Sequence, residues 1–418
     1  MQRIIVEKSP PLKGSVRVSG AKNSALPILA ATLLSSGTCK LEDVPDLNDV
    51  KIISEVLKIL GAEVEKIGKE EMKINASDIK AFEAPYELMS KMRASFLVMG
   101  PLLARLGRAR IAMPGGCAIG SRPIDLHLKG FKALGAEIIS KEGYVEAKAD
   151  KLIGNEIYLD FPSVGATQNI IMAASLAEGE TVLENAAMEP EITDLANYIN
   201  KMGGDIKGAG TNTIRIKGVP SLDGTNHQII PDRIEAGTYM VGAAITQGDV
   251  TVENVLSNHI KPVIAKLNEM GAEVIEMEDS IRVKASGKLK AVDIKTLPYP
   301  GFPTDMQSQF MTLLALAEGK SEVMETVFEN RFMHADELIK MGADIVTDNR
   351  RAIITGVDSL KGAKVRATDL RAGASLILAG LVAEGTTEIS DIYHIDRGYS
   401  DIEEKIKSLG GKIYRKDI

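Results

Sequence analysis

The stretch Leu60-Gly61-Ala62-Glu63-Val64 decides the fold, because close variants of it recur five more times along the chain. In each copy Leu or Met precedes a Gly, a small residue and a charged residue follow, and Val or Ile ends the motif. The first Gly of the motif stands at positions 61, 135, 203, 271, 342 and 410, at intervals of 68 to 74 residues in a chain of 418. Such a period is typical of a repeated supersecondary unit. The sequence therefore predicts six copies of one folding unit.

Each copy predicts two helices and several short strands. An amphipathic helix precedes the motif, as at residues 192–202 and 263–270, and the motif Gly suits a left-handed helix C-cap. Alternating apolar and polar residues then predict a strand, as at 213–218. A second helix, apolar nearly all round, runs over residues 305–317 and 369–383 in the last two copies. Because such a helix must be buried, we predict an α/β fold with apolar helices inside and strands outside.

The two ends of the chain are predicted to meet. The sixth repeat stops before the strand and the Leu-Lys-Gly turn that the fifth repeat has at residues 353–362, and the chain start supplies both at 3–6 and 12–14. With three repeats to a domain, we predict a first domain at 22–229 and a second at 1–21 plus 230–418. Two chain crossings would join these domains, which favours closure by a hinge motion.

The composition excludes several classes of protein. The chain has 50 Lys+Arg against 57 Asp+Glu, a net charge of -7, which disfavours nucleic acid or anionic lipid as a partner. No apolar run reaches the length of a membrane span, and the start lacks the apolar run of a signal peptide. Two cysteines and five scattered histidines suggest neither a disulfide framework nor a metal site. The sequence predicts a cytoplasmic monomer with no metal, no cofactor and no nucleic-acid or membrane partner.

The second repeat carries an insertion. Its glycines 107 and 135 are 28 residues apart, whereas the equivalent spacing is 23 to 25 residues in the other repeats. The inserted residues, 114–125, are rich in Gly and place Cys117 close to Arg122. A thiol beside a cation is the environment that favours a reactive thiolate, so the insertion predicts a reactive loop. An unreactive Cys in a Gly-rich loop explains the same pattern.

Charged residues at the starts of the apolar helices differ among the repeats. Four starts carry a cation: Lys22, Arg93, Arg233 and Arg371. A cation there opposes the helix dipole, a conflict that an anionic ligand would resolve, and we expect the helix starts to converge between the domains. Asp305 and Asp369 suit either a ligand-binding role or an N-cap. Arg331 and Arg397 lie in matching loops of repeats five and six and are expected to face the same cleft, although exposed Arg side chains are usually solvated.

These residue types suit group transfer to or from a phosphorylated small molecule. Arg and Lys bind carboxylate and phosphate oxygens, a desolvated Asp can take a proton from a hydroxyl group, and a thiol near cations can exchange a proton near neutral pH. The sequence contains no Ser-His-Asp set, phosphate-binding loop or dinucleotide fingerprint in the required context. The residues by themselves indicate this reaction class and no particular substrate.

Six segments match the motifs of one known family. They are Ser19-Gly20-Ala21-Lys22-Asn23, Met113-Pro114-Gly115-Gly116-Cys117, Phe302-Pro303-Thr304-Asp305-Met306-Gln307, Glu329-Asn330-Arg331-Phe332-Met333-His334, Ala367-Thr368-Asp369-Leu370-Arg371 and His394-Ile395-Asp396-Arg397-Gly398-Tyr399. Over essentially its whole length the chain resembles the enolpyruvyl transferases that act on UDP-N-acetylglucosamine. The resemblance implies two inside-out α/β barrel domains, each of three repeated units, with an interdomain active-site cleft.

The resemblance also implies an activity. The enolpyruvyl group of phosphoenolpyruvate would be transferred to the 3-hydroxyl of UDP-N-acetylglucosamine, and phosphate would be released by addition and elimination (EC 2.5.1.7). This is the first committed step of peptidoglycan synthesis, which would connect the protein to cell wall biogenesis, cell shape, the cell cycle and cell division. The partners would be the two substrates alone.

The resemblance implies a role for each matching residue. Cys117 would donate a proton and could carry a covalent phospholactoyl adduct, and Lys22, Arg122 and Arg397 would hold phosphoenolpyruvate. The sugar would contact Asn23 and Asp305, of which Asp305 would accept the hydroxyl proton. Further anion contacts and the closed cleft would involve Arg93, Arg331, Asp369 and Arg371. The sugar-nucleotide site would be lined by Arg122, Pro123, Ile124, Asp125, Leu126, Ser163, Val164, Gly165 and Val327. The chain departs from some members, which have Lys where Phe161 or Pro162 stands.

Two alternative functions are weighed against this activity. A sister enolpyruvyl transferase acts on shikimate 3-phosphate, but that family lacks the Cys loop and has Lys-Ser where this chain has Lys22-Asn23. A sugar-nucleotide sensor that binds without turnover would have lost Cys117 or Asp305, and both are present.

Overall fold

The computed structural model describes residues 2–83, 93–113, 124–141 and 143–417, with the side chains of residues 93–95 left out. The described residues form two compact units. We call them the N-terminal unit, which lies within residues 20–230, and the C-terminal unit, which comprises residues 2–19 and 231–417. Each unit has its own cluster of buried apolar side chains.

The helices of each unit fall into a buried set and an amphipathic set. In the N-terminal unit the buried helices are Lys22–Ala31, Met99–Leu106 and Val164–Ala174, and the amphipathic ones are Asn48–Leu60, Asp125–Ala133 and Pro190–Lys201. In the C-terminal unit the buried helices are Arg233–Ile245, Gln307–Leu314 and Leu370–Val382, and the amphipathic ones are Lys261–Met270, Met333–Lys340 and Ile402–Ser408. Short 3-10 turns span Thr32–Leu34, Arg93–Val98, Ser257–His259, Thr304–Met306 and Ile392–Arg397. The three buried helices of the C-terminal unit pack directly on one another.

Five four-stranded sheets share one strand order, in which the first pair is parallel and the two following pairs are antiparallel. The N-terminal unit contains two of these sheets. The strands of the first are, in spatial order, Asn226–Gln228, Thr38–Glu42, Met72–Asn75 and Glu63–Lys66. Those of the second are Glu156–Tyr158, Glu180–Glu184, Thr213–Lys217 and Asp205–Lys207. The C-terminal unit contains the other three. The first consists of Lys13–Arg17, Asp249–Glu253, Ser280–Lys284 and Glu273–Glu276, and the second of Ile294–Lys295, Lys320–Met324, Arg351–Thr355 and Asp344–Asp348. The third consists of Lys364–Arg366, Thr386–Ser390, Gln2–Glu7 and Lys412–Asp417. The sheet Arg108–Ala112, Tyr144–Lys148, Glu137–Lys141 has three strands, and a parallel bridge from Glu83 to Arg110 stands where the others have their fourth.

The N-terminal strand completes the sheet of the last repeat. Gln2–Glu7 lies antiparallel between Thr386–Ser390 and Lys412–Asp417, with Ile4 opposite both Ile389 and Arg415. The expectation that the chain start supplies the strand missing from the sixth repeat is confirmed.

The motif glycines end the amphipathic helices as predicted. All six have a left-handed backbone, with φ between 91° and 109°. Only Gly adopts this conformation without strain from a Cβ, which explains why the same residue type recurs at every helix end. The helix predicted at 192–202 is observed as Pro190–Lys201, and the one at 263–270 as Lys261–Met270.

The prediction of an α/β fold built from repeated units is confirmed. Strands such as Thr213–Lys217 alternate buried and exposed residues, so each such sheet covers the helices with one face and meets solvent with the other. Within the described ranges every sheet is open, so the barrel implied by the resemblance is an arrangement of helices inside and separate sheets outside. None of the helices described here combines the length and the hydropathy that crossing a membrane requires.

Candidate active site

Asp305 lies at the centre of a charged cluster in the C-terminal unit. Its Oδ1 accepts a hydrogen bond from Nη2 of Arg331 at 2.8 Å, and its Oδ2 accepts one from Nη2 of Arg371 at 3.2 Å. The side chain of Asp305 is 25% exposed, whereas those of Arg331 and Arg371 are 3% and 1% exposed. The cluster therefore presents one accessible carboxylate that two buried cations hold in place.

The Arg371 guanidinium remains charged although it is buried. Burial opposes the charge, but Tyr399, Asp305 and Asp232 together raise the pKa of Arg371 above its ordinary value. The guanidinium carbon also lies 5.3 Å from the centre of the Tyr399 ring, in the range of a cation–π contact. The predicted anion-binding residue Arg371 thus has a protein carboxylate, that of Asp305, as its partner.

Asp369 caps the helix Leu370–Val382. Its Oδ1 accepts the backbone N–H groups of Arg371 at 2.8 Å and Ala372 at 3.1 Å. The N-cap alternative therefore describes Asp369. It does not describe Asp305, which lies inside the turn Thr304–Met306, whose N-cap residue is Pro303.

Val327 and Arg397 belong to the same unit as Asp305. The half-buried Val327 donates its backbone N–H to Oε1 of Glu325 at 2.8 Å, and Oε2 of Glu325 accepts the hydroxyl of Thr304, the residue before Asp305, also at 2.8 Å. Arg397 ends the turn Ile392–Arg397, where burial and then the charge of Arg397 lower the pKa of His394. The structure thus gathers the predicted residues Asp305, Val327, Arg331, Asp369 and Arg371 in one region.

Lys22 begins a buried helix of the N-terminal unit, and a carboxylate offsets its charge. Its Nζ lies 3.4 Å from Oδ2 of Asp49, and both side chains are buried. An acidic partner from the helix Asn48–Leu60 therefore relieves part of the conflict between Lys22 and the helix dipole. Chain spacing does not predict this pair, because Asp49 lies 27 residues after Lys22 on another helix. Asn23 follows on the same helix and is half-buried.

The predicted sugar-nucleotide segments 124–126 and 163–165 lie at the starts of two packed helices of the N-terminal unit. A Cβ placed on Gly165 would lie 3.2 Å from Cε1 of His127, so Gly permits this close approach. Ser163 caps its helix by accepting the N–H of Ala166 at 3.4 Å. The partly buried lining residues pack against the core: Ile124, Leu126 and Val164. Asp125 is exposed at the start of its helix.

Several predicted site residues lie outside the described residues. These are Cys117, Arg122 and Pro123, together with the side chain of Arg93, whose backbone begins the turn Arg93–Val98. Among the residues that the structure describes, no group of three or more His, Cys, Asp and Glu could hold a metal ion.

The chain belongs to the EPSP synthase (3-phosphoshikimate 1-carboxyvinyltransferase) family, whose sequence model matches residues 6–406. Two curated relatives are each named UDP-N-acetylglucosamine 1-carboxyvinyltransferase, the first with the number 1 added. The relative from Caldanaerobacter subterraneus subsp. tengcongensis is 64% identical over 99% of each chain. The relative from Finegoldia magna is 64% identical over 100% of each chain. Among solved structures, the enolpyruvyl transferase NikO from Streptomyces tendae is 26% identical, with a TM-score of 0.89 over 99% of this chain and 98% of that chain.

Proposed function

We propose that this protein transfers the enolpyruvyl group of phosphoenolpyruvate to the 3-hydroxyl of UDP-N-acetylglucosamine and releases phosphate. The observation that carries this function is the 64% identity to two proteins named UDP-N-acetylglucosamine 1-carboxyvinyltransferase, over nearly their whole lengths. The reaction would be the first committed step of peptidoglycan synthesis, with consequences for cell wall biogenesis, cell shape and cell division.

Asp305 is the residue we propose as acceptor of the sugar hydroxyl proton. Arg331 and Arg371 favour its ionised form, which is the form able to take a proton, and its 25% exposure leaves it reachable. As the proton leaves, the hydroxyl oxygen bonds to C2 of phosphoenolpyruvate, and C3 of the same molecule gains a proton, for which we propose Cys117 as donor. Loss of phosphate from C2 and of a proton from C3 then restores the double bond in the product.

The remaining roles are proposed from the resemblance together with the chemistry of each side chain. Lys22, Arg122 and Arg397 would bind the carboxylate and phosphate of phosphoenolpyruvate, since cations bind both groups by charge-assisted hydrogen bonds. The sugar nucleotide would contact Asn23, the segments 122–126 and 163–165, and Val327. Arg93, Arg331, Asp369 and Arg371 would organise the anionic surroundings.

We also propose the domain organisation and the cellular setting. Residues 22–229 would form one domain and residues 1–21 plus 230–418 the other, and the two would close when the sugar nucleotide binds. The enzyme would act as a cytoplasmic monomer without cofactor, nucleic acid or membrane partner.

Phosphate release tests the proposed function directly. The purified protein should release phosphate with phosphoenolpyruvate and UDP-N-acetylglucosamine together, and not when either substrate is omitted. Release with shikimate 3-phosphate in place of the sugar nucleotide would favour the sister activity for which the family is described. Binding of the sugar nucleotide without phosphate release would favour the sensor.

A further inference from the structure

The repeats allow each residue to be compared with its structural equivalents, and one buried carboxylate stands out. In four repeats the strand that comes after the buried helix is followed directly by an Asp or Asn in the left-handed conformation, with φ between 53° and 58°. These residues are Asp43, Asn185, Asn254 and Asp391. In repeat five the strand Lys320–Met324 is followed by Glu325, which is not among the residues with positive φ.

The Asp or Asn at this position secures the neighbouring parallel strand. The side-chain amide of Asn185 donates to the carbonyl of Leu159 at 2.7 Å, and that of Asn254 donates to the carbonyl of Val18 at 2.9 Å. Glu325 performs the same task, because its Oε1 accepts the hydroxyl of Thr296 at 2.8 Å, directly after the strand Ile294–Lys295. The structural role is therefore retained in repeat five.

Glu325 makes three further hydrogen bonds that the equivalent Asn residues do not need for this task. Its Oε2 accepts the Thr304 hydroxyl at 2.8 Å, and its Oε1 accepts the backbone N–H groups of Val327 at 2.8 Å and Phe328 at 3.1 Å. Glu325 is only 1% exposed. Burying a carboxylate is costly unless hydrogen bonds satisfy it. Glu325 must therefore hold Thr304 and the backbone at Val327 and Phe328 in a defined geometry.

The bond from Thr304 extends to Asp305. The single hydroxyl proton of Thr304 is donated to Glu325. The Thr304 hydroxyl oxygen can then act only as an acceptor, and it accepts a hydrogen bond from Nη1 of Arg331 at 3.2 Å. Nη2 of the same guanidinium donates to Oδ1 of Asp305 at 2.8 Å. Glu325 therefore fixes the direction of the hydrogen bonds that orient Arg331 against Asp305.

We infer that Glu325 is a positioning residue for the sugar side of the reaction, an inference that rests on the proposed function. Through Thr304 and Arg331 it sets the geometry of Asp305, the proposed proton acceptor, and through two backbone N–H groups it sets the segment that carries Val327. Both belong to the sugar-nucleotide side of the proposed site, whereas the residues proposed for phosphoenolpyruvate, such as Arg397, have no bond to Glu325 in the described part of the chain.

The variant Glu325→Gln tests this inference. Its amide oxygen still accepts from Val327 and Phe328, but its NH2 group faces Thr304 and competes with Arg331 for the hydroxyl oxygen. We expect kcat/KM for UDP-N-acetylglucosamine to fall about 10- to 100-fold and the KM for phosphoenolpyruvate to stay within about twofold. Thr304→Val should reproduce this pattern, and Thr304→Ser, which keeps the hydroxyl, should retain kcat/KM within about threefold.

Glu337→Gln is the matched control. Glu337 is also a buried carboxylate of the C-terminal unit, 6% exposed, and it accepts a backbone N–H, that of Arg366 at 3.1 Å, and the Lys340 ammonium at 2.8 Å. Its bonds do not reach Thr304, Asp305 or Arg331 in the described structure. Its substitution should therefore leave both kinetic constants near those of the unmodified protein even if the unfolding temperature falls.

The outcomes separate the inference from the proposed function. Unchanged kinetics of Glu325→Gln, or equal losses in Glu325→Gln and Glu337→Gln, would overturn the positioning role. If the unmodified protein releases no phosphate, the proposed function fails instead, and amide hydrogen exchange then decides the role of Glu325. Glu325→Ala should speed exchange at Val327 and Phe328 at least tenfold over the unmodified protein, and unchanged exchange would refute the inference.

Discussion

Asp305 and Asp369 stand at matching positions of repeats five and six, yet the structure uses them differently. The Asp369 carboxylate accepts two backbone N–H groups of its own helix, those of Arg371 and Ala372. The Asp305 carboxylate instead accepts side-chain N–H groups of Arg331 and Arg371 and remains 25% exposed. One residue stabilises a helix start, and the other keeps a charge where a ligand can reach it.

The backbone explains the difference. Asp369 is extended, with φ -156° and ψ 178°, the geometry in which an N-cap side chain turns back onto the first helical N–H groups. Asp305 already lies inside the 3-10 turn Thr304–Met306, one residue beyond its start. A residue inside the turn directs its side chain away from the helix end, so the same residue type gains another role.

Replacing each Asp by Asn should give the largest contrast. Asn caps a helix about as well as Asp but does not accept a proton at neutral pH. We expect Asp305→Asn to lower kcat about 10²- to 10⁴-fold, because a general base is lost. Asp369→Asn should stay within about tenfold of the unmodified protein, because its cap persists. Phosphate release under saturating substrates measures both, and equal losses would contradict the division of roles.

His334 is buried, interacts with the charges of Asp369 and Arg331, and should make stability depend on pH. Its pKa is lowered to about 4, because burial, together with the charge of Arg331, outweighs the opposing charge of Asp369. Because the ordinary value is near 6.5, the unfolded chain binds the proton more readily than the folded one. The free energy of unfolding should therefore be unaffected by His334 above about pH 6.5. It should fall as the pH is lowered toward 4, by up to about 3 kcal/mol.

Urea unfolding between pH 4 and pH 7.5 measures this dependence. His334→Gln should flatten the curve over that interval, because Gln does not titrate there. A variant whose stability falls as steeply as that of the unmodified protein would remove His334 as the cause.

The fold was predictable because its signals are local and repeated. Gly61 and its five equivalents end helices with a left-handed backbone, which a single residue type encodes. The pairing of Gln2–Glu7 with Lys412–Asp417 was predictable for a related reason, since the last repeat lacks a strand that the chain start contains.

The partners of the charged residues were not predictable in the same way. Arg331 and Arg371 lie 26 and 66 residues from Asp305, and chain spacing does not show that both reach one carboxylate. The sequence does not single out Asp49 or Glu325. Asp49 belongs to an amphipathic helix and Glu325 directly follows a strand, and only the packing of the fold buries their carboxylates.

Removing the Asp369 side chain should have a moderate effect on stability. Asp369→Ala loses both bonds to the backbone N–H groups and should lower the free energy of unfolding by about 1 kcal/mol. Asp369→Asn serves as the control and should lose only a few tenths of that amount. Urea unfolding at pH 7.5 measures the difference, and equal losses in the two variants would show that charge rather than capping is the contribution of Asp369.

The smallest expected effect is electrostatic and links Asp369 to His334. Because the negative charge of Asp369 raises the pKa of His334, Asp369→Asn should lower that pKa further below its ordinary value, while the cap keeps the helix start in place. With five histidines in the chain, ring carbon labelling of His gives few enough NMR signals to assign, and the signal missing from His334→Gln identifies the residue. An unchanged His334 pKa in Asp369→Asn would contradict this link and would mean that Asp369 acts at the helix start through its cap alone.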